Sequence, residues 1–268
     1  MRKFKSFLDP LPRVCAHRGD SHYFPENTIE AFISASRMNI DIIETDVHLT
    51  KDNKIVIWHD DTLERNTDGK GRIEDHTLEE LLEYDAGYTF TKDGGKTFPF
   101  RGKGVKIMTL DEALKACPDE RFNIDLKTND TRIVDEYIKV IRDNKAEERV
   151  CTASFHLKNL KAMRKKAPDM LTSITTLEVA WLLFRLSVNA LPKTFKRKII
   201  FQVPLQQGPV RIISEKFIKE MHKRGAVIMV WTINNTAQMD ALFDMGVDTI
   251  MTDNPRLLIE RAKAKNII

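Results

Sequence analysis

The sequence predicts an α/β protein folded as a closed (β/α)8 barrel, and three observations carry that prediction. Short apolar clusters alternate with helical patterns along most of the chain, which implies right-handed crossovers and a parallel sheet. About eight strand–helix units follow one another, the number that closes a barrel rather than leaving an open doubly wound sheet. No Gly-rich dinucleotide fingerprint follows any of the strands, which weakens the open-sheet alternative.

The elements follow in order. Residues 14–16 read as a short buried strand, and residues 27–38 as a helix with Ile29, Phe32 and Ile33 at helical spacing. Residues 40–47 and 55–58 read as strands. A helix at 110–117 precedes the strand 122–126, and 133–143 is helical again. Strand 150–153, helix 157–166 and strand 171–175 keep the rhythm. Strand 199–203, helix 215–224, strand 227–231, helix 236–245 and strand 248–251 continue it, and a last helix follows Pro255.

Two stretches break the alternation. Residues 61–106 are rich in Gly, Thr and Asp and carry one short helical piece at 78–84; a loop that long is usually functional. In residues 177–198, apolar Trp181, Leu182, Leu183, Phe184, Leu186, Val188 and Leu191 precede Lys193, Lys196, Arg197 and Lys198. That order fits a helix lying on an anionic membrane surface. The competing and favoured reading is an ordinary barrel helix with a solvated basic end.

A chain of 268 residues fits one barrel domain, 1–268, with 61–106 as an insertion after the second strand region. The content, 42% hydrophobic and 31% charged, is that of a globular protein that can fill a core. No run reaches the roughly 18 apolar residues of a spanning helix. Three cysteines without CxxC spacing point to a reducing compartment, and the basic start has no apolar run of signal-peptide length. A cytoplasmic protein, with or without peripheral membrane contact, is therefore expected. The net charge of +4 suits anionic partners, but no nucleic-acid motif or dense basic stripe accompanies it. Oligomeric state is not legible.

Chemistry concentrates at strand ends, and in a barrel the C-terminal ends face the active site. His17 ends the first strand, a residue able to move protons near neutral pH, beside Arg18, whose planar fork matches phosphate oxygens. A structural histidine beside a surface arginine is the alternative. Glu44 and Asp46 stand two apart, so both carboxylates face the same side of one strand. Buried together they would repel unless a cation sits between them, and oxygen donors select a hard ion such as Mg²⁺ or Ca²⁺. Two solvated carboxylates on an edge are the alternative, against which Ile42, Ile43 and Val47 argue. His59, after the strand 55–58, supplies a second proton carrier, and phosphodiester cleavage needs one group to deprotonate the nucleophile and one to protonate the leaving oxygen. Asn123, Asp125 and Lys127 share one face of the next strand, where a third carboxylate and an ammonium would complete a cation site and a phosphate clamp.

In order and spacing, His17-Arg18-Gly19, Pro25-Glu26-Asn27-Thr28, Glu44-Thr45-Asp46-Val47 and His59-Asp60 resemble the glycerophosphodiester phosphodiesterase family. The strand 123–127 and the segments Val230-Trp231-Thr232-Ile233-Asn234 and Thr252-Asp253-Asn254-Pro255 match as well, so the resemblance spans residues 13–260. It implies a TIM barrel with one divalent cation, Mg²⁺ or Ca²⁺, held by Glu44, Asp46 and Asp125. It also implies His17 and His59 as the acid/base pair, Arg18 and Lys127 on the phosphate, and 61–106 as the family's insertion beside the mouth. Many members carry Glu where this chain has Asp125, which is one methylene shorter; direct or water-mediated ligation stays open there. The implied reaction is hydrolysis of glycerophosphodiesters to glycerol 3-phosphate and an alcohol, by attack of water or of the glycerol hydroxyl. The alternatives are a lysophospholipase D acting on lysophospholipids and, from another class, a barrel that binds phosphodiesters or lipids without turnover.

Lesser features have blander readings. Glu26 is expected to support the site and Asn27 to cap the first helix. His48 is expected in a loop. Trp231 and Phe155 are placed at the mouth as candidate substrate-lining residues, with core packing the equal alternative for Trp231.

Overall fold

Eight parallel strands form a nearly closed ring, and each delivers its chain to an outer helix. The structure, a computed structural model, describes residues 4–268. β1 (Val14–His17) leads through α1 (Ile29–Arg37) to β2 (Ile42–Leu49), and β3 (Ile55–Ile57) turns back antiparallel on β2. After α2 (Leu78–Leu82) and α3 (Leu110–Ala116) come β4 (Arg121–Leu126), α4 (Arg132–Asp143), β5 (Val150–Ala153), α5 (Leu157–Lys166) and β6 (Leu171–Thr172). Then follow α6 (Thr176–Ser187), β7 (Ile200–Pro204), the hairpin β8 (Gln206–Gln207) and β9 (Val210–Arg211), and α7 (Glu215–His222). β10 (Val227–Trp231), α8 (Thr236–Asp244), β11 (Thr249–Thr252) and α9 (Pro255–Ala264) end the chain.

The hydrogen-bonded order is β6–β5–β4–β2–β1–β11–β10–β7, which places the first strand beside the last. At the remaining seam the Ile174 N–H donates to the Ile200 carbonyl at 3.1 Å and draws β6 and β7 together. Strand parity sorts the side chains. Ile43, Val47, Phe122, Ile124, Phe201, Ile228 and Ile250 point outward into the shell shared with the helices. Cys15, Ile42, Cys151, Ile200, Val227, Met229 and Met251 fill the interior with Phe7. Nearer the mouth the inward positions turn polar. Glu44 lies in register with Asn123, and Asp46 with Asp125; Asn123 and Gln202 exchange hydrogen bonds across the ring at 2.6 and 3.1 Å.

Three sequence expectations need correction. The strand expected at 55–58 is not part of the ring; β3 pairs antiparallel with the long outer half of β2 and carries its own partners into the insertion. A strand reads the same in sequence whether it closes a ring or folds back on its neighbour. The strand expected at 171–175 keeps only residues 171–172, because Thr175 is already engaged as the N-cap of α6. That helix opens the stretch 177–198 and supplies the fifth outer helix, so the alternation is not interrupted there. Val56 and Trp58, in and just after β3, pack with Leu63, Ile73, Leu81 and Val105 of the insertion into a small separate core.

α6 starts with a reciprocal capping box. Glu178 N–H donates to Thr175 Oγ1, and Thr175 N–H donates to Glu178 Oε2. The same carboxylate accepts from Arg164 at 3.0 and 3.1 Å and from Arg197 at 2.7 Å. Burial pushes the Glu178 carboxyl up, but Arg164, the Thr175 amide and Arg197 outweigh it and bring it down to about 2. Because the folded value lies below the unfolded one, its stabilisation is present above the unfolded pKa of about 4.5 and is lost as pH falls through about 2. The side chain is 36% exposed, so screening reduces its worth; Glu178→Gln is expected to cost about 1–2 kcal/mol at neutral pH. Urea unfolding of both proteins should show that gap closing between pH 4.5 and pH 2. A gap of constant size would assign the loss to packing instead.

Candidate active site

The first loop is shaped to bring backbone close to the barrel rim. After β1 the chain passes through Arg18 and Gly19 at φ 58° and 84°, the left-handed region. A Cβ on Gly19 would lie 2.8 Å from Ala31 of α1, so glycine alone allows the loop to seat on the helix. Arg18 N–H donates to the Glu44 carbonyl at 3.0 Å, which pins the arginine over the carboxylates. Its Nη1 donates to Glu26 Oε1 at 2.9 Å, and its Nε lies 3.3 Å from Asp46.

Each of the two histidines has an aspartate on Nδ1. His17 Nδ1 lies 2.6 Å from Asp253 Oδ1, and its Nε2 is 3.8 Å from Glu44. Register explains the first pair: Ala16 lies opposite Thr252, so the next residues meet at the rim. Asn234 Nδ2 holds the other Asp253 oxygen at 2.6 Å. His59 Nδ1 lies 2.6 Å from Asp60 Oδ1. β3 runs back toward the ring, with Trp58 N–H on the Asp46 carbonyl at 3.0 Å, and so delivers His59 above Asp46. Arg65 of the insertion bridges Asp60 and Glu26, which joins the support of His59 to that of Arg18.

The environments move the two imidazoles apart. Burial pulls the His17 pKa down, but Glu44 and Asp253 outweigh it, and the net shift is upward. Burial lowers His59 and, with Arg18 and Lys127 acting in the same direction, outweighs the opposing pull of Asp46 and Asp60, so the net shift is downward. A pair of titratable groups split this way has the properties of an acid and a base.

Three carboxylates lie beneath them. Burial and the neighbouring Asp46 charge push Glu44 up to about 7. Burial likewise raises Asp125. Asp46 is buried too, but Lys127 and Arg18 hold it below its ordinary value. Lys127 Nζ lies 3.0 Å from Asp46 Oδ1 and 2.8 Å from Asp125 Oδ2. Among the described residues no three His, Cys, Asp or Glu side chains converge as a finished metal cage. The donor set nevertheless suits a hard cation: the acids stand on adjacent strands, and Asp125 Oδ1 is buried without a hydrogen-bond partner.

The mouth opens into a cavity of about 300 Å³ that contains both histidines, the three carboxylates, Arg18 and Lys127. Away from this charged end it becomes apolar, lined by Phe155, Ile174, Val179, Val203, Ile212 and Trp231. Phe155 and Trp231 meet edge to face at 6.2 Å, and Lys127 Nζ lies 5.6 Å from the Phe155 ring.

Residues 17–257 match the glycerophosphoryl diester phosphodiesterase family. The chain belongs to that family. A glycerophosphodiester phosphodiesterase of Caldanaerobacter subterraneus is 34% identical over 255 residues, covering 92% of this chain and 96% of the relative. Among solved structures, a glycerophosphoryl diester phosphodiesterase domain from Mycobacterium tuberculosis superposes with a TM-score of 0.83 at 20% identity, over 94% of this chain and 99% of that one. An Oleispira antarctica phosphodiesterase, solved with the product sn-glycerol-3-phosphate, gives 0.75 at 24% identity, over 94% and 97%. As a family member the protein is a phosphoric diester hydrolase.

In this glycerophosphoryl diester phosphodiesterase barrel, the residues singled out in sequence gather around one cavity: His17, Arg18, Glu44, Asp46, His59, Asp125, Lys127, Phe155 and Trp231. Glu26 stands behind them as the partner of Arg18 and Arg65. Two details differ from expectation. Thr28, not Asn27, caps α1; Asn27 instead donates to Asp46 at 3.1 Å and accepts from Thr45 at 2.8 Å. His48 is not in a loop but buried within β2, its Nε2 3.3 Å from the His59 carbonyl. The pairing of Asp253 with His17, of Asn234 with Asp253, and of Arg65 with Glu26 and Asp60 emerges from the fold. The signals in sequence are the matching segments 230–234 and 252–255, which hold Asn234 and Asp253, and ring closure, which sets the end of the last strand beside the end of the first.

Proposed function

We propose that this enzyme hydrolyses glycerophosphodiesters to glycerol 3-phosphate and an alcohol, with His59 as base and His17 as acid. The observation that carries the reading is geometric: two histidines, each with an aspartate on Nδ1, face one cavity together with Arg18, Lys127 and three buried carboxylates. Arg18 and Lys127, both cationic and beside the carboxylates, would grip the non-bridging phosphate oxygens. Neutral His59 takes the proton of the attacking hydroxyl, of water or of the glycerol itself. Protonated His17, held by Asp253 with Nε2 toward the cavity, gives its proton to the departing alcohol oxygen. Glu44, Asp46 and Asp125 would hold one divalent cation, Mg²⁺ or Ca²⁺, which when bound neutralises charge that develops on the phosphoryl oxygens.

The apolar arm favours a second reading, a lysophospholipase D that takes lysophospholipids with the acyl chain along Ile174, Val179 and Ile212. Assaying chelator-treated protein on glycerophosphodiesters and lysophospholipids, with Mg²⁺ or Ca²⁺ restored, tests both readings. Activity is expected to fall by about 10²-fold or more in chelator and to return with the cation. Chelator-insensitive turnover would contradict the cation, and turnover of neither substrate class would overturn the reaction. Among the described residues no helix is long and apolar enough to cross a membrane.

A further inference from the structure

We infer that the outer face of α6, with the basic segment that follows it, docks this protein on an anionic membrane surface. The inference rests on the lipid-substrate reading only for its purpose, not for its evidence. Leu177, Trp181, Phe184 and Val188 recur at spacings of four, three and four, so they form one stripe along the helix. All four are more than half exposed, while Val179 and Leu182 on the other side are buried against the barrel. A barrel helix ordinarily turns a polar face to water, and a stripe of large apolar groups there marks a contact surface.

The charge pattern identifies what it contacts. Between 176 and 198 there are five basic residues, Arg185, Lys193, Lys196, Arg197 and Lys198, and one acidic residue, Glu178. The difference, +4, equals the formal charge of the whole chain, so the rest of the protein is balanced and the excess is concentrated beside the stripe. A second copy of the chain would set like charges against each other across a two-fold contact. An anionic bilayer complements both halves: acyl tails receive the aromatic and aliphatic groups, and headgroups receive the lysines and arginines. Trp181, with the Arg185 guanidinium 4.7 Å from its ring, combines the two in one place.

Placement relative to the site gives the contact its use. α6 begins at the mouth, and its Thr176 and Val179 line the cavity. Phe155, just after β5, and Val210, in the hairpin after β7, are also large, apolar and exposed. The apolar arm therefore opens next to the stripe. A lipid entering from the docked surface would keep its chain covered on its way to the charged end.

Co-sedimentation of the full chain with substrate-free vesicles tests this. Binding is expected to phosphatidylglycerol-containing vesicles and not to pure phosphatidylcholine, and to weaken with salt. Partition should fall by about tenfold or more in Trp181→Glu/Phe184→Glu and in Lys193→Glu/Lys196→Glu/Lys198→Glu. Brominated lipids should quench tryptophan fluorescence of the wild type far more than that of Trp181→Phe, which keeps Trp58 and Trp231. Turnover of a soluble glycerophosphodiester, unchanged in every variant, shows that the site is intact and reads the proposed reaction separately from docking. A wild-type protein that ignores anionic vesicles, or variants that bind as it does, would overturn the inference. So would a solution dimer that Trp181→Glu dissociates, because the stripe would then belong to a second copy.

Discussion

His17→Ala is expected to lower kcat on a glycerophosphodiester by about 10²–10⁴-fold, with KM nearly unchanged, because in the proposed mechanism it removes the proton donor to the leaving oxygen. Asp253→Asn keeps the imidazole and should leave a partly active enzyme with a displaced pH profile. Burial lowers the His17 pKa, and Glu44 and Asp253 together raise it; losing the Asp253 charge must lower it. An acid has to be protonated to work, so the alkaline limb of kcat should move to lower pH in Asp253→Asn. A variant with reduced kcat but an unmoved limb would reduce Asp253 to a structural role. A His17→Ala enzyme within a few-fold of wild type would remove His17 from proton transfer.

Much of this site is legible in the amino-acid sequence because strand parity and strand polarity are local. Glu44 and Asp46 face inward together because a strand repeats every two residues, and they reach the mouth because β1 ends at His17 opposite Glu44, although β2 itself runs on to Leu49. His59 reaches the rim by a different route from the one its sequence suggests: β3 returns along β2 rather than closing the ring, yet its end still meets the mouth. Asp253 lies 236 residues from the histidine it orients, and only ring closure joins them. Arg65 depends on how the insertion folds back over Glu26 and Asp60, which no periodicity encodes. The apolar positions of α6 are visible in sequence, but composition does not tell which face of a helix the barrel will cover. Leu177, Trp181 and Phe184 lie on the uncovered one.

Lys127→Met is expected to destabilise the cation-free protein by about 3–5 kcal/mol, the usual cost of removing one partner from a buried charge pair. The ammonium touches Asp46 and Asp125, whose side chains are 2% and 8% exposed, with Glu44 nearby and buried. Without it, Arg18 and His17 are left to offset three carboxylates, which must either repel or take up protons. A divalent cation would relieve the same repulsion. Binding to the folded state alone raises stability by mass action, so Mg²⁺ or Ca²⁺ should raise the Tm of Lys127→Met more than that of the wild type. Thermal melts of both proteins in chelator and in cation separate the cases. Equal stability in chelator would mean that Lys127 is not the countercharge of the cluster. Melts that respond to neither ion in either protein would mean that the carboxylates hold no metal, and the phosphate would then have to be met by Arg18 and Lys127 unaided.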